Sequence, residues 1–176
     1  MNIFYLHPDP QKCAEMHLDK HCVKMILEYS QLLSTAHRVL DGTDNVLSDN
    51  RDQYLYRATH INHPSAIWAR QSYENYDWLV RLLECLHAEY THRYSKVHKS
   101  EALLDFLTSP PDNIPYNQSF TEPTPAMPDD CKIADNSIAS YRKYYQVYKS
   151  HIARWTSRPI PDWFHIRLLE HKNCLH

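Results

Sequence analysis

Residues 9–40 read DPQKCAEMHLDKHCVKMILEYSQLLSTAHRVL, and the rest of the chain is organised around them. Laid on a helix at about 100° per residue, His17, His21, Lys24, Glu28, Gln31 and Thr35 point within about 40° of one direction, with Arg38 about 60° away. They make one polar stripe. Met16, Leu18, Cys22, Val23, Met25, Ile26, Leu27, Leu32 and Leu33 take up most of the remaining circumference, which predicts a helix buried on most sides. A charged stripe on such a helix faces water or lines a cavity, because burying it unpaired costs several kcal/mol per charge. Two histidines, a lysine, a glutamate and an arginine on so narrow a stripe favour the cavity.

Asp9 is placed as N-cap and Pro10 as the first helical residue, and Gly42, the one glycine of the chain, stands where a C-cap needs it. Ahead of this helix, NIFYL (2–6) stops at His7-Pro8 and reads as a short strand or extended arm. Behind it, 43–50 reads as a polar loop and about 51–59 as a short helical stretch. Asn62-His63-Pro64 then opens a second long helix, about 64–96, with Ile67, Trp68, Tyr76, Leu79, Leu83, Leu86 and Tyr90 at helical spacing. A short helix is expected at 101–108. Residues 110–130 hold six of the eleven prolines, too many for a helix or a central strand, so this segment is a lid or an ordered wrap over the core. A last helix, about 136–156, interleaves Arg142, Lys143, Lys149 and Arg154 with Tyr141, Tyr144, Tyr145, Tyr148 and Trp155.

These elements predict a mainly α protein, a single compact helical domain over residues 1–164 around the central helix, with a short N-terminal extended arm and a polar tail at 165–176. The net charge of −2 gives no global basic footprint, so contact with nucleic acid needs a local patch, for which the last helix is the candidate. A single glycine leaves no Gly-rich phosphate loop, which excludes P-loop and Rossmann nucleotide binding. Five scattered cysteines without CxxC spacing read as reduced thiols, and no run reaches membrane-spanning length. The expectation is a soluble intracellular protein that calls for no cofactor, with no membrane partner.

The stripe suggests three chemistries. His17 and His21 have the i,i+4 spacing that can hold a metal, with Glu28 or His63 as a third ligand, although such spacing is common by chance among 13 histidines. Glu28 with His17 and His21 suits acid–base work, with Lys24 and Arg38 facing anionic groups. Lys24 could also serve as an amine nucleophile that forms an imine with a sugar carbonyl. Asn62 and His63 would complete the cleft, Trp68 is a candidate stacking partner though core packing is the favoured reading, and Arg142 and Lys143 are candidate phosphate contacts.

Taken together, NIFYL, HxDKHxxKMILExxQLLxTAHR, NHPxxxW, FTEPTPAMPDDCK, YRKYY and PDWF resemble a family of small tailed-phage proteins over residues 2–164. More distantly, the chain is similar to phage pyrimidine-dimer DNA glycosylases of the endonuclease V type. The parallels are an extended start, a first helix with a histidine (His17) followed by basic and acidic residues, a later helix opening near His63, and an aromatic segment after Pro161 with Trp163. This resemblance implies a helical DNA enzyme in the cytoplasm of an infected bacterium, acting on a flipped nucleotide of duplex DNA through an amine nucleophile. Those glycosylases use the α-amine exposed after Met removal, whereas Asn2 is a poor penultimate residue for that removal, so the amine here is expected to be displaced. Alternatives in view are a base-modifying transferase of thymine hypermodification, a non-catalytic module binding nucleic acid or a host protein, and a metal-dependent hydrolase.

Overall fold

A computed structural model describes residues 1–164; the expected polar tail, 165–176, lies outside the described residues. Among the described residues, helices run in order as α1 (Pro10–Met16), α2 (Asp19–Asp41), α3 (Thr43–Ser48), α4 (Pro64–Ala69), α5 (Tyr73–Tyr94), α6 (Leu104–Leu107) and α7 (Ser137–Tyr148), with short 3-10 turns in the later connections. No strand occurs among the described residues, so NIFYL is an extended arm and not part of a sheet.

The helix expected over 9–40 is two helices. Asp9 caps α1, accepting from the Lys12 N–H at 2.9 Å, with Pro10 in the first turn as expected. The chain then leaves helical geometry at His17 and Leu18, whose ψ angles are 129° and 158°. The carbonyls that would have continued α1 are taken from outside. Arg93 donates to the Glu15 and His17 oxygens at 3.0 and 2.8 Å, and the Trp155 indole donates to Met16 O at 2.9 Å. With these acceptors satisfied, ending the helix costs little. On the far side of the break the Asp19 carboxylate receives Arg93, the Thr156 N–H and the Thr156 hydroxyl.

The second long helix also divides, α4 ending at Ala69 and α5 starting at Tyr73, because Ser72 caps α5 by accepting from the Asn75 N–H at 3.1 Å. Gly42 closes α2 at φ +82°. Residues expected to form a loop are instead helix α3, held by the Asn45 amide on Asp41 O. Of the expected helical stretch at 51–59, only a 3-10 turn at Arg51–Gln53 forms. The last helix ends at Tyr148, eight residues short of expectation, and a 3-10 turn follows it.

α5 packs along α1 and α2, and its Leu79, Leu82, Leu83 and Leu86 meet Ile26 and Leu33 in the core. The arm is threaded into this core rather than laid over it: Ile3, Phe4, Tyr5 and Leu6 are all buried. Its backbone groups are met by side chains, Phe4 N–H by the Tyr29 hydroxyl at 3.2 Å and Leu6 O by the Arg142 guanidinium at 2.9 and 3.1 Å.

The proline-rich segment is a wrap. Buried Asp41 accepts from the backbone N–H groups of Asp112 and Asn113, Trp68 and Asn75 hold Thr121, and the Tyr141 hydroxyl accepts from the Ala126 N–H.

Arg93, fully buried, pairs with Glu89 at 2.7 Å and Asp19 at 3.0 Å, and Arg158 reaches the same Glu89 at 2.9 Å. Burial opposes ionisation of Glu89, but its bonds to Arg158 and Arg93 win and hold its carboxyl below the usual glutamate range. This cluster joins α1, α2, α5 and the C-terminal segment at one point. Arg93→Met should therefore cost about 3–5 kcal/mol, because it removes the buried cation shared by Glu89 and Asp19 and leaves the Glu15 and His17 carbonyls without their donor. Urea unfolding of the variant checks this; a loss under about 1 kcal/mol would contradict it.

Candidate active site

The site is built where the arm begins. Asn2 fixes it: its amide donates to Ala126 O at 2.8 Å, and its carbonyl oxygen accepts from the Ile3 N–H at 2.9 Å and the Tyr141 hydroxyl at 2.8 Å. Held this way, the chain places the α-amine of Met1 at 3.6 Å from Oε2 of Glu28 on α2. Lys24, one turn earlier, puts its Nζ 3.2 Å from Oε1 of the same carboxylate. Glu28 is 8% exposed, whereas the Lys24 side chain is 68% exposed. One nearly buried carboxylate thus sits between two amines, with a solvent opening on the lysine side.

His63 is brought to this pair by the segment before it. Thr35, two turns beyond Glu28, exchanges hydrogen bonds with the Thr59 backbone, and Ser34 accepts from the Tyr56 N–H at 3.2 Å, so residues 56–63 lie along α2. His63 caps α4, its Nδ1 accepting from the Ser65 N–H at 3.1 Å, which leaves the proton of the neutral ring on Nε2. Burial lowers the His63 pKa first, the Met1 amine and His60 lower it further, and Glu28 opposes them. The ring is therefore within electrostatic reach of both members of the pair.

The stripe's first two residues are placed otherwise. His17 is fully buried, with Nδ1 on Cys13 O and Nε2 on the Tyr29 hydroxyl, both at 2.7 Å. His21 bonds the Tyr145 hydroxyl at 2.7 Å and stacks on Phe4 of the arm at 4.1 Å. Burial lowers their pKa values to about 4 and about 2, so both rings are neutral struts under the arm and stand apart from Glu28. They do not converge on a metal site: no group of three His, Cys, Asp or Glu among the described residues could hold one.

Four other candidates serve the scaffold. Arg38 clamps residues 52–56, donating to Tyr56 O, Leu55 O and Asp52. Trp68 is 1% exposed and donates to Thr121 O at 2.9 Å, so it fills the core instead of facing the site. Arg142 holds Leu6 O and lies over the Trp163 ring at 5.4 Å, and Lys143 donates to Asp130 O. Asn62 is exposed beside His63. Glu28 and Lys24 are brought together with the α-amine of Met1, which the sequence expected to be displaced, and His63 lies within electrostatic reach of the pair.

The buried histidines carry an acid liability. His17, His37 and His87 are lowered to about 4 and His21 to about 2, each chiefly by burial. Because the unfolded chain binds these protons near pH 6.5 and the folded chain does not, stability is fully present above that pH and falls as the pH drops from about 6.5 towards 4. The expected loss is roughly 1 kcal/mol per histidine per pH unit in that window, read from urea midpoints between pH 7.5 and 5.5. A flat profile would contradict it.

A family model described as pyrimidine dimer DNA glycosylase matches residues 1–102, which span the arm, α1 to α5 and every residue of the gathered site. No curated protein and no solved structure matches the chain.

Proposed function

Because the chain belongs to the pyrimidine dimer DNA glycosylase family, we propose that it excises a base at a pyrimidine dimer in duplex DNA and then cuts the strand, with the Met1 α-amine as nucleophile and Glu28 as its partner carboxylate. The observation that carries this reading is the 3.6 Å approach of that amine to the only carboxylate it meets in an ion pair among the described residues.

The steps follow from the geometry. The amine nitrogen attacks C1′ of the deoxyribose, the bond from C1′ to the base nitrogen breaks, and its electron pair leaves with the pyrimidine, which takes up a proton. Glu28 receives the proton that the amine loses, and its charge offsets the positive character at C1′. Opening of the sugar ring, with O4′ taking the C1′–O4′ electrons and a proton, leaves an imine between Met1 and C1′. Loss of a C2′ proton expels the 3′ phosphate, and water then hydrolyses the imine and frees the amine. The Met1 amine is held beside Glu28 by the buried arm whereas the Lys24 side chain is 68% exposed, which favours Met1 over Lys24 as nucleophile. Lys24, exposed beside Glu28, is suited to a DNA phosphate, and His63 presents a neutral N–H donor at the edge of the site.

The tailed-phage resemblance supports action in an infected bacterial cytoplasm. Incubation with end-labelled duplexes carrying a thymine dimer, an abasic site or 5-hydroxymethyluracil, with borohydride to trap an imine, tests the reading. A trapped adduct and strand break at the dimer support it. DNA retention at low salt without adduct or cleavage would replace it with plain binding or base modification.

A further inference from the structure

The exposed face of the first half of α2 is unusual for a surface helix. Its exposed positions between Asp19 and Glu28 are Lys20, Val23, Lys24 and Leu27, alternately cationic and aliphatic. Val23 is 42% and Leu27 41% exposed, one turn apart, and Leu27 directly precedes Glu28. A second aliphatic pair, Ile61 and Ile67 at 42% and 46%, brackets His63. These side chains lie outside the core, yet both pairs stand on the two elements that supply the gathered site. Two lysines on the same face as the first pair select a polyanion, and aliphatic side chains among them select a polyanion with apolar surfaces to offer.

We infer that this face is the DNA-deforming contact: Lys20 and Lys24 hold phosphates of the duplex while the Val23–Leu27 ridge enters the base stack beside the nucleotide extruded to Glu28. This inference rests on the glycosylase reading and adds how the duplex is opened. Aliphatic wedges work this way because a base step, once unstacked, exposes apolar faces that a hydrocarbon side chain covers better than water does. Val23 and Leu27 are spaced about 5–6 Å apart at Cβ, so one can enter a step while the other rests against its edge. The ridge matters only where a stacked duplex must be opened, and it has no part in the bond-breaking steps.

That distinction gives the test. The Val23→Ala/Leu27→Ala double variant and the unaltered protein are compared on a duplex containing a thymine dimer and on a single strand containing an abasic site, where no stack has to be opened. The duplex rate divided by the single-strand rate should fall by about tenfold or more in the variant, with the single-strand rate unchanged. A Val23→Ile/Leu27→Met variant should restore most of the ratio. In parallel, 2-aminopurine placed beside the dimer should brighten when the unaltered protein binds and stay dim with the Ala variant at saturating concentration. A ratio within twofold of the unaltered protein, or equal brightening, overturns the inference while leaving the glycosylase reading intact. Absence of imine trapping by the unaltered protein on the abasic strand counts against that reading, and the fluorescence arm still decides the fate of the ridge.

Discussion

Glu28→Gln leaves the protein folded and able to bind DNA, and removes dimer cleavage by about 10³-fold or more. Glutamine has nearly the same size and can still accept hydrogen bonds, so the packing around α2 is kept. What disappears is the charge. Glu28 offers its two oxygens to two different amines, Met1 at 3.6 Å and Lys24 at 3.2 Å. The Lys24 partner is largely exposed, so its loss costs at most about 1 kcal/mol of stability. Chemistry suffers far more, because without the carboxylate the amine loses its proton acceptor and the developing charge at C1′ loses its counter-charge. The measurement is single-turnover cleavage of an end-labelled dimer duplex beside a urea melt and a gel-shift titration of both proteins. Cleavage within tenfold of the unaltered rate would remove Glu28 from the mechanism, and a melt shifted by several kcal/mol would recast it as a structural residue.

How far the sequence could be read depends on whether a feature is local. Asp9-Pro10 and Gly42 mark helix ends through their own backbone chemistry, and both act where the sequence puts them. The break between α1 and α2 has no such local mark, because its stabilising partners, Arg93 and Trp155, are 76 and 139 residues away from the carbonyls that they satisfy. The break near residue 71 does have one, in Ser72 three residues before Asn75, but the apolar spacing of Ile67, Trp68 and Tyr76 runs through it and hides it. α3 formed where polar composition suggests a loop, since Gly42 supplies the first carbonyl and Asn45 ties the turn to Asp41.

The polar stripe was legible as a pattern, but what covers it was not. Periodicity puts the stripe residues from His21 to Arg38 on one side of α2 and says nothing about what lies opposite. Here the opposite partner is the N-terminal arm, whose Phe4 stacks on His21 and whose backbone meets the Tyr29 hydroxyl that also holds His17. Two residues that look like catalysts in sequence are thereby used to bury a strand-like segment, and the same burial delivers a backbone terminus to Glu28. No side-chain motif encodes that amine. Its one sequence trace is the uninterrupted apolar run NIFYL immediately behind it, which has to be buried somewhere and so fixes its own beginning.

An extension of two residues ahead of Met1 should abolish imine trapping on an abasic strand, by about 10²-fold or more, whereas Lys24→Arg should leave trapping largely intact. The extension carries the free amine up to roughly 7 Å further along the chain, well outside reach of Glu28, without altering any side chain. Asn2 still binds Ala126 and Tyr141, so the arm stays seated and the melt is unchanged. Lys24→Arg keeps the cation near Glu28 and its contact to a phosphate, yet a guanidinium does not form an imine. The two variants therefore separate the nucleophiles that share one carboxylate. After borohydride reduction and proteolysis, mass spectrometry of the adduct should place the added deoxyribose on the peptide that begins at Met1. An adduct on the peptide containing Lys24, with trapping that survives the extension and fails in Lys24→Arg, would transfer the nucleophile's role to the lysine. Glu28 would keep its place in that case too, because its second oxygen already faces Lys24 at 3.2 Å.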